Sequence, residues 1–577
     1  MLVTNQMACT EKGVQEWNDE VRSLFSQLKP LEPPAYHEIF GKQPNSAELE
    51  LGRMLFNDPI LSRNNDVSCA TCHLANHGFA DGNSLNVGTM GIGGPTGDTV
   101  GRSFGQGALS LNRSLGDDGF GFLASRHMFR NSLSTINVVY RANETTREGL
   151  FWDGRFGSLD FQSLLPIHTA IEMCGTNPVP QTAQSKNPFR KGGPIFRKNV
   201  VINHSHSYDA VTGADTGRFN SQPESIEGVP NQRPDGRWSI PTRNECLAIS
   251  IAKLRLVPGY RRLFKDAFAI DQINEKNLSR ALSTFIMSHV ATNTAFDRFL
   301  TGEENLSKEE LRGLVMFMTP LGQKKRIMGT EIRGVGCASC HQPPLFGGNG
   351  FASLGVISDQ RSSLTIPNNV SDLENGFFTR SRLQRGKLPQ CHVKGVTTTK
   401  SYAPDIGRAG ATFKRDDCFK FRIPPLRNII ETYPYFHHGT ARAQGYKTEN
   451  LVDRAYKALE QVISYHLRGP IDASFVSRID YRKIFFDDLY QKDLLIPHYG
   501  QNFTNDQTQG DKYLPIRLKQ SEMADLVTFL AKSLLDTEAT KIGGFGNNIS
   551  HPRVVTSGLS PSITRDQGHQ GEIPDGR

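Results

Sequence analysis

Two copies of the pattern C-x-x-C-H constrain this chain more than any other feature: Cys69-Ala70-Thr71-Cys72-His73 and Cys337-Ala338-Ser339-Cys340-His341. Two thiols one helical turn apart can add across the two vinyl groups of a haem. The histidine that follows then faces the iron and becomes its proximal ligand. Paired C-x-x-C motifs can instead hold zinc, but a zinc site has no use for a histidine directly after both pairs. With one motif in each half of a 577-residue chain, the expectation is two covalently bound haems c, on His73 and His341. A chain of this length also has room for two or more domains, each with its own core.

The remaining pattern is mainly α-helical. Asn45 and Glu48 form a capping-box pair ahead of Leu49, Met54, Leu55 and Phe56, so a first helix is predicted from about residue 45. Leu278, Leu282, Phe285, Ile286 and Val290 recur at helical spacing. Ser307 and Glu310 make a second capping box before Leu311, Leu314 and Val315, and Met523, Leu526, Val527, Leu530 and Leu534 mark a last amphipathic helix. Strand alternation is scarce. Between the helices lie long irregular insertions rich in Gly, Pro, Asn and Ser, at about 82–126, 174–245 and 355–420. These boundaries predict an N-terminal extension (1–44), a first domain (45–303), a second domain (304–539) and a polar tail (540–577) that docks loosely or not at all. The division is placed at Gly302-Glu303-Glu304-Asn305, between two good helices.

The formal charge of +8 comes from 66 basic residues interspersed with 58 acidic ones, which is no nucleic-acid stripe and permits an anionic redox partner. No apolar run approaches the length of a membrane span. The opening MLVTNQMACTEKG lacks a charged region followed by an apolar one. Attachment of haem to such motifs nevertheless argues for an exported, periplasmic protein, and Cys9 is a candidate for lipid attachment. Cys174 with Cys246, and Cys391 with Cys418, bracket long loops. Two disulfides there would suit an oxidising compartment; four unrelated buried thiols are the alternative.

Several segments resemble one known family. Leu51-Gly52-Arg53-Met54-Leu55-Phe56, Asp58-Pro59, Leu61-Ser62, the first haem motif and Gly78-Phe79-Ala80-Asp81-Gly82 are similar to the opening of the dihaem cytochrome c peroxidase/MauG family. Phe151-Trp152-Asp153-Gly154-Arg155 with Leu159, Gln162, Pro166 and Glu172-Met173 resembles its distal segment, and Phe296-Asp297-Arg298 its domain end. Ile423-Pro424-Pro425-Leu426-Arg427-Asn428 and Pro434-Tyr435-Phe436-His437-His438-Gly439 match in the second half. The resemblance implies two cytochrome c-like helical domains, each binding one haem, with peroxide handled at the N-terminal one. It implies that Trp152 relays electrons between the haems and that Gln162 and Glu172 line the distal pocket. It also implies a calcium ion between the domains, held by Asn137 and by the carbonyls of Thr432 and Pro434. Chemistry supports the carboxylate: cleaving a peroxide O–O bond needs a proton moved from one oxygen to the other, which a partly desolvated Glu172 can do, with Gln162 as a hydrogen-bonding positioner.

Two departures from the family pattern bear on the site. Where classical members place a swinging histidine over the resting distal face, gapless counting gives Phe129, with His127 nearby, which suggests a face open at rest as in MauG. Where the second iron usually takes Met or Tyr, this chain has His466, preceded by Tyr465; His466 shares an apolar face with Ala455, Leu459, Val462 and Ile463 and is the expected sixth ligand, with Tyr465 as the alternative. Met523 is a weaker candidate, and His438 replaces a usual carboxylate. The expected partners are hydrogen peroxide and either a small c-type cytochrome or cupredoxin donor or an oxidisable organic or protein substrate. Either a monomer or a homodimer is compatible with the sequence. The rivals are a non-catalytic dihaem electron-transfer cytochrome and a rubber-oxygenase-like dihaem dioxygenase, the latter opposed by the Gln162/Glu172 pair.

Overall fold

Apolar residues at helical spacing gather into two separate cores in the computed structural model. It describes residues 2–40, 43–62, 65, 67–82, 130–141, 149–155, 158–168, 172–173, 243–269, 272–347, 350–354, 356, 407–412, 414–417, 420–437, 439, 441, 443, 450–468, 517–545, 547–552 and 554–559. The three expected insertions lie largely outside this set, as do His127, Phe129, His438, Cys174, Cys391, Cys418 and the side chain of Cys9. Cys246 is disulfide-bonded.

The longer helices are α1 (Leu2–Leu24), α2 (Ser46–Asn57), α3 (Arg243–Leu256), α4 (Pro258–Phe268), α5 (Glu275–Met287), α6 (Ala295–Thr301), α7 (Lys308–Met318), α8 (Leu451–Arg468) and α9 (Gln520–Thr528). Strands among the described residues form two antiparallel pairs: β1 (Lys324–Ile327) with β2 (Thr330–Arg333), and β3 (Phe351–Ala352) with β4 (Phe421–Arg422). No described helix is long and apolar enough to cross a membrane.

Local chemistry sets where the helices start. The side chain of Asn45 accepts the Glu48 N–H at 2.6 Å, and that of Ser307 accepts the Glu310 N–H at 3.2 Å; such caps contribute about 1 kcal/mol each. Glu310 completes its box by accepting the Ser307 N–H at 2.9 Å. Glu48 instead turns inward, accepting from Arg280 at 2.7 Å and from Thr284 at 3.0 Å.

The first core joins α2, α4 and α5 through Leu51, Leu55, Phe56, Phe264, Leu278, Leu282 and Phe285; the second joins α7 and α9 through Leu311, Leu314, Phe317 and Leu526, with Phe529 directly after α9. The two are built alike. A Cβ on Gly52 would lie 2.2 Å from the Ala281 carbonyl oxygen, and one on Gly313 would lie 2.3 Å from that of Asp525, so both helix pairs touch backbone to backbone. Four residues later, Phe56 packs on Phe79 and Phe285, as Phe317 packs on Phe346 and Phe529. Asn137 (φ +62) and Asn428 (φ +55) each cap a 3₁₀ turn in the left-handed conformation that asparagine tolerates. Asn137 bonds to the His289 carbonyl through its N–H and to both Ala291 backbone groups through its amide. Asn428 does the same to Leu534 and Asp536.

Both chain ends depart from expectation. A helix precedes residue 45; its Trp17 and Val21, with Phe25 just past its end, recur at helical spacing and are buried in the second core. The described part of the segment after residue 540, up to residue 559, was expected to be loose and is anchored on the first core. Ile549 is buried there, His551 Nε2 accepts the Ala75 N–H at 3.0 Å, and Ser557 Oγ donates to Asp58 at 2.7 Å. Gly, Ser and Pro made this stretch read as unstructured, yet a few buried polar partners hold it. The cores change over between Ala291 and Ala295, ahead of Gly302-Asn305.

Candidate haem sites

Two cavities of near-equal size, about 210 and 200 Å³, open beside the two C-x-x-C-H motifs. The first is bordered by Cys69, Cys72, His73, Trp152, Gln162 and Glu172, so the structure brings the expected distal residues into one space with the expected haem ligands. Burial pushes the Cys69 thiol up to about 12, and the nearby Glu172 carboxylate adds to that rise. His73 Nδ1 lies 2.9 Å from the Phe79 carbonyl and 3.3 Å from Ser132 Oγ. An Nδ1–H donated to the carbonyl leaves Nε2 for the iron, the arrangement that fixes a metal-bound imidazole. Burial keeps the His73 pKa below the ordinary histidine value. Among the described residues lining this cavity, His73 is the one imidazole; Met173 also borders it and packs within the first core.

The second cavity is bordered by Cys337, Cys340, His341, Tyr435, His437 and His466. His341 Nδ1 lies 3.2 Å from the Phe346 carbonyl, repeating the first motif. His466, near the end of α8, points Nδ1 at the Val462 carbonyl one turn back, at 2.7 Å, which again leaves Nε2 for a metal. Tyr465, the alternative, donates its hydroxyl to the Leu354 carbonyl at 2.7 Å and does not border the cavity. Met523 packs against the second core and is not among the residues lining the cavity. Burial pushes the Cys337 thiol up to about 12. The Tyr435 hydroxyl is buried with no hydrogen-bond partner among the described residues. Such an orphan in a cavity wall, with two thiols and an imidazole of fixed orientation, fits a prosthetic group with polar edges, and the donor sets of both cavities fit a c-type haem.

Trp152 borders both cavities. Its indole N–H donates to the Asn131 carbonyl at 2.8 Å, and its own carbonyl accepts the Arg422 N–H at 2.8 Å. Asp153, next in sequence, binds Arg130 at 2.7 Å and Arg155 at 2.9 Å. Burial alone would raise this carboxyl, but the guanidiniums of Arg155 and Arg130 outweigh it and hold its pKa below the usual value. Asn131, Ser132 and Arg422, which border both cavities, were not singled out from the sequence, because an isolated Asn, Ser or Arg carries no motif.

Two of the three expected calcium ligands, Asn137 and Pro434, are engaged with protein groups. Asn137 Oδ1 accepts the Ala291 N–H at 2.8 Å, a bond repeated by Asn428 in the other half, and the Pro434 carbonyl accepts from Asn131 at 3.3 Å. Thr432 and Pro434 border the second cavity. No group of three or more His, Cys, Asp or Glu among the described residues could hold a metal ion.

Comparison with known proteins agrees with this geometry. The family profile described as di-haem cytochrome c peroxidase matches residues 46–192 and 218–305. A cytochrome c551 peroxidase of Nitrosomonas europaea is 22% identical over 420 residues, 72% of this chain and 75% of that one. The methylamine utilization protein MauG of Methylophilus methylotrophus is 22% identical over 333 residues, 57% of this chain and 63% of the relative. A solved MauG-like protein associated with microbial copper homeostasis superposes with a TM-score of 0.45 at 19% identity, covering 89% of this chain and 94% of that one. With two C-x-x-C-H cavities on a duplicated helical frame, this profile match and these relatives make the chain similar to the dihaem cytochrome c peroxidase/MauG family of haem peroxidase-type oxidoreductases.

Proposed function

We propose that the chain carries two haems c and reduces hydrogen peroxide at the N-terminal one, on His73. The observation that carries this reading is the asymmetry of the two cavities. The first holds a carboxylate and a carboxamide, Glu172 and Gln162, where the second holds His466. His73, Cys69 and Cys72 would hold a haem there, and its iron would supply the redox chemistry. Glu172 takes a proton from one peroxide oxygen and returns it to the other as the O–O bond breaks. Gln162 holds the departing oxygen by a hydrogen bond. At the second site His341 and His466 would hold a haem iron, which would store and pass electrons. Trp152, bordering both cavities, lies on the route between them, and its indole is held in place by the Asn131 carbonyl.

Two electrons and two protons convert the peroxide to two waters. The electrons come from a small c-type cytochrome or cupredoxin, or, in the MauG-like variant, from an organic or protein substrate. Haem attachment and disulfide-bonded Cys246 support a periplasmic setting. An electron paramagnetic resonance spectrum of the isolated protein tests the proposal. One high-spin and one low-spin haem are expected, with stoichiometric peroxide abolishing the high-spin signal. Two low-spin signals, unmoved by peroxide even after one-electron reduction, would leave a pure electron carrier.

A further inference from the structure

The two halves repeat each other closely enough that a single mismatch carries information. Asn137 and Asn428 make matching bonds, to residues 289 and 291 in the first half and to residues 534 and 536 in the second. By that correspondence His289 occupies the position of Leu534. Both are completely buried. A core of this kind asks for a hydrocarbon, and the second half has one. The first half has an imidazole instead, whose Nε2 is buried with no hydrogen-bond partner among the described residues, which costs stability unless the ring does something a leucine cannot.

Its surroundings say what that is. The His289 ring stacks on Phe79, with centroids 3.9 Å apart and planes 15° from parallel. Phe79 sits at φ +56, a conformation bulky residues rarely adopt, and its carbonyl is the one facing His73 Nδ1. On its other side His289 Nδ1 lies 2.7 Å from Thr135 Oγ1, and its carbonyl accepts the Asn137 N–H at 2.8 Å. Thr135 borders the first cavity. His289 thus ties the carbonyl behind His73 to the cavity wall. In the second half Phe346, the matching residue at φ +51, is packed edge-on against Phe296, Phe317 and Phe529, hydrocarbon throughout. Burial, with His73 and His551 adding to it, holds the His289 pKa well below the ordinary value, so the ring is a neutral prop rather than a charge.

We propose that His289 is a positioning residue which, through Phe79, fixes the hydrogen bond behind His73 and so gives the N-terminal haem a proximal ligand more strongly donating than that of its C-terminal counterpart. This rests on the reading that His73 carries a haem. A firmer Nδ1–H···O bond makes the imidazole more basic, favours the oxidised iron and lowers the potential.

The test is a spectroelectrochemical titration of the full-length holoprotein, with the iron–histidine stretch of the reduced N-terminal haem read by resonance Raman. His289→Leu is expected to shift the oxidised-to-reduced ratio of the N-terminal haem about tenfold toward reduced at fixed potential, ~59 mV upward for one electron. The stretch should fall in frequency and the C-terminal potential should stay put. Thr135→Val, which keeps the stack and removes the bond to Nδ1, should give a smaller shift of the same sign. Should His289→Leu fail to fold, that second variant decides. An unchanged N-terminal potential and stretch in a variant that retains both haems overturns the proposal alone. A parent protein with fewer than two covalent haems, or one that keeps the first haem after Cys69 and Cys72 are both changed to Ser, overturns the reading beneath it.

Discussion

Glu172 is one of many carboxylates in the chain, and nothing in its own chemistry marks it. Its spacing from Trp152 marked it in the sequence, and its place in the wall of the first cavity supports the assignment. A positioned acid/base contributes roughly 10²- to 10⁴-fold to a proton transfer. Glu172→Gln should therefore lower peroxide turnover by about that factor while the haem absorption bands stay unchanged; turnover within twofold of the parent would remove the assignment. At this scale the sequence was informative wherever chemistry demands a residue type at a fixed spacing, as in the two haem motifs. It was also informative at His466, one turn after Val462, where helical periodicity placed the imidazole on the inner face. It was silent at His289, because a single histidine within an apolar helix end looks like any other until Phe79 is seen to lie under it.

Helix starts were legible because a cap is a local device: Asn45 and Ser307 bond to residues three positions away. The duplication of the two halves was less so, since a glycine inside a helical pattern, such as Gly52 or Gly313, does not by itself announce a backbone contact. The structure shows why each is glycine. A methyl at Gly52 would lie 2.2 Å from a carbonyl oxygen and 2.6 Å from Phe285 Cβ, neither a flexible side-chain end. Alanine at an exposed helix interior gains about 1 kcal/mol over glycine, whereas forcing a packed interface apart costs roughly 1–3 kcal/mol. The second effect should win. Gly52→Ala and Gly313→Ala are each expected to destabilise the chain by about 1–2 kcal/mol in chemical denaturation; a stabilised variant would show that the helices can slide apart freely.

On the scale of the whole molecule, a described segment near each end packs on the core farther from it in sequence: α1, through Trp17 and Val21, on the second, and the stretch around Ile549 on the first. This crossing was not legible, because local pattern reports which face of a helix is apolar but not what covers it. It makes the first haem motif dependent on the far end of the chain. His551 accepts the Ala75 N–H, two residues past His73, and its Nδ1 lies 2.5 Å from Asn57 Oδ1. Both bonds require a neutral ring, with Nδ1–H donating and Nε2 accepting. Burial, aided by the charge of Arg53, lowers the His551 pKa to about 4. The unfolded chain, with an ordinary histidine near 6.5, therefore binds this proton first as pH falls. The contribution of His551 is fully present above about pH 6.5 and is lost as pH drops toward 4, on the order of 3 kcal/mol in all. Unfolding free energies of the parent and of His551→Asn, measured from pH 7 to pH 4, should converge on acidification, because the variant lacks the titrating group. Parallel curves would mean that the tail is held by Ile549 and Ser557 alone, with His551 a bystander.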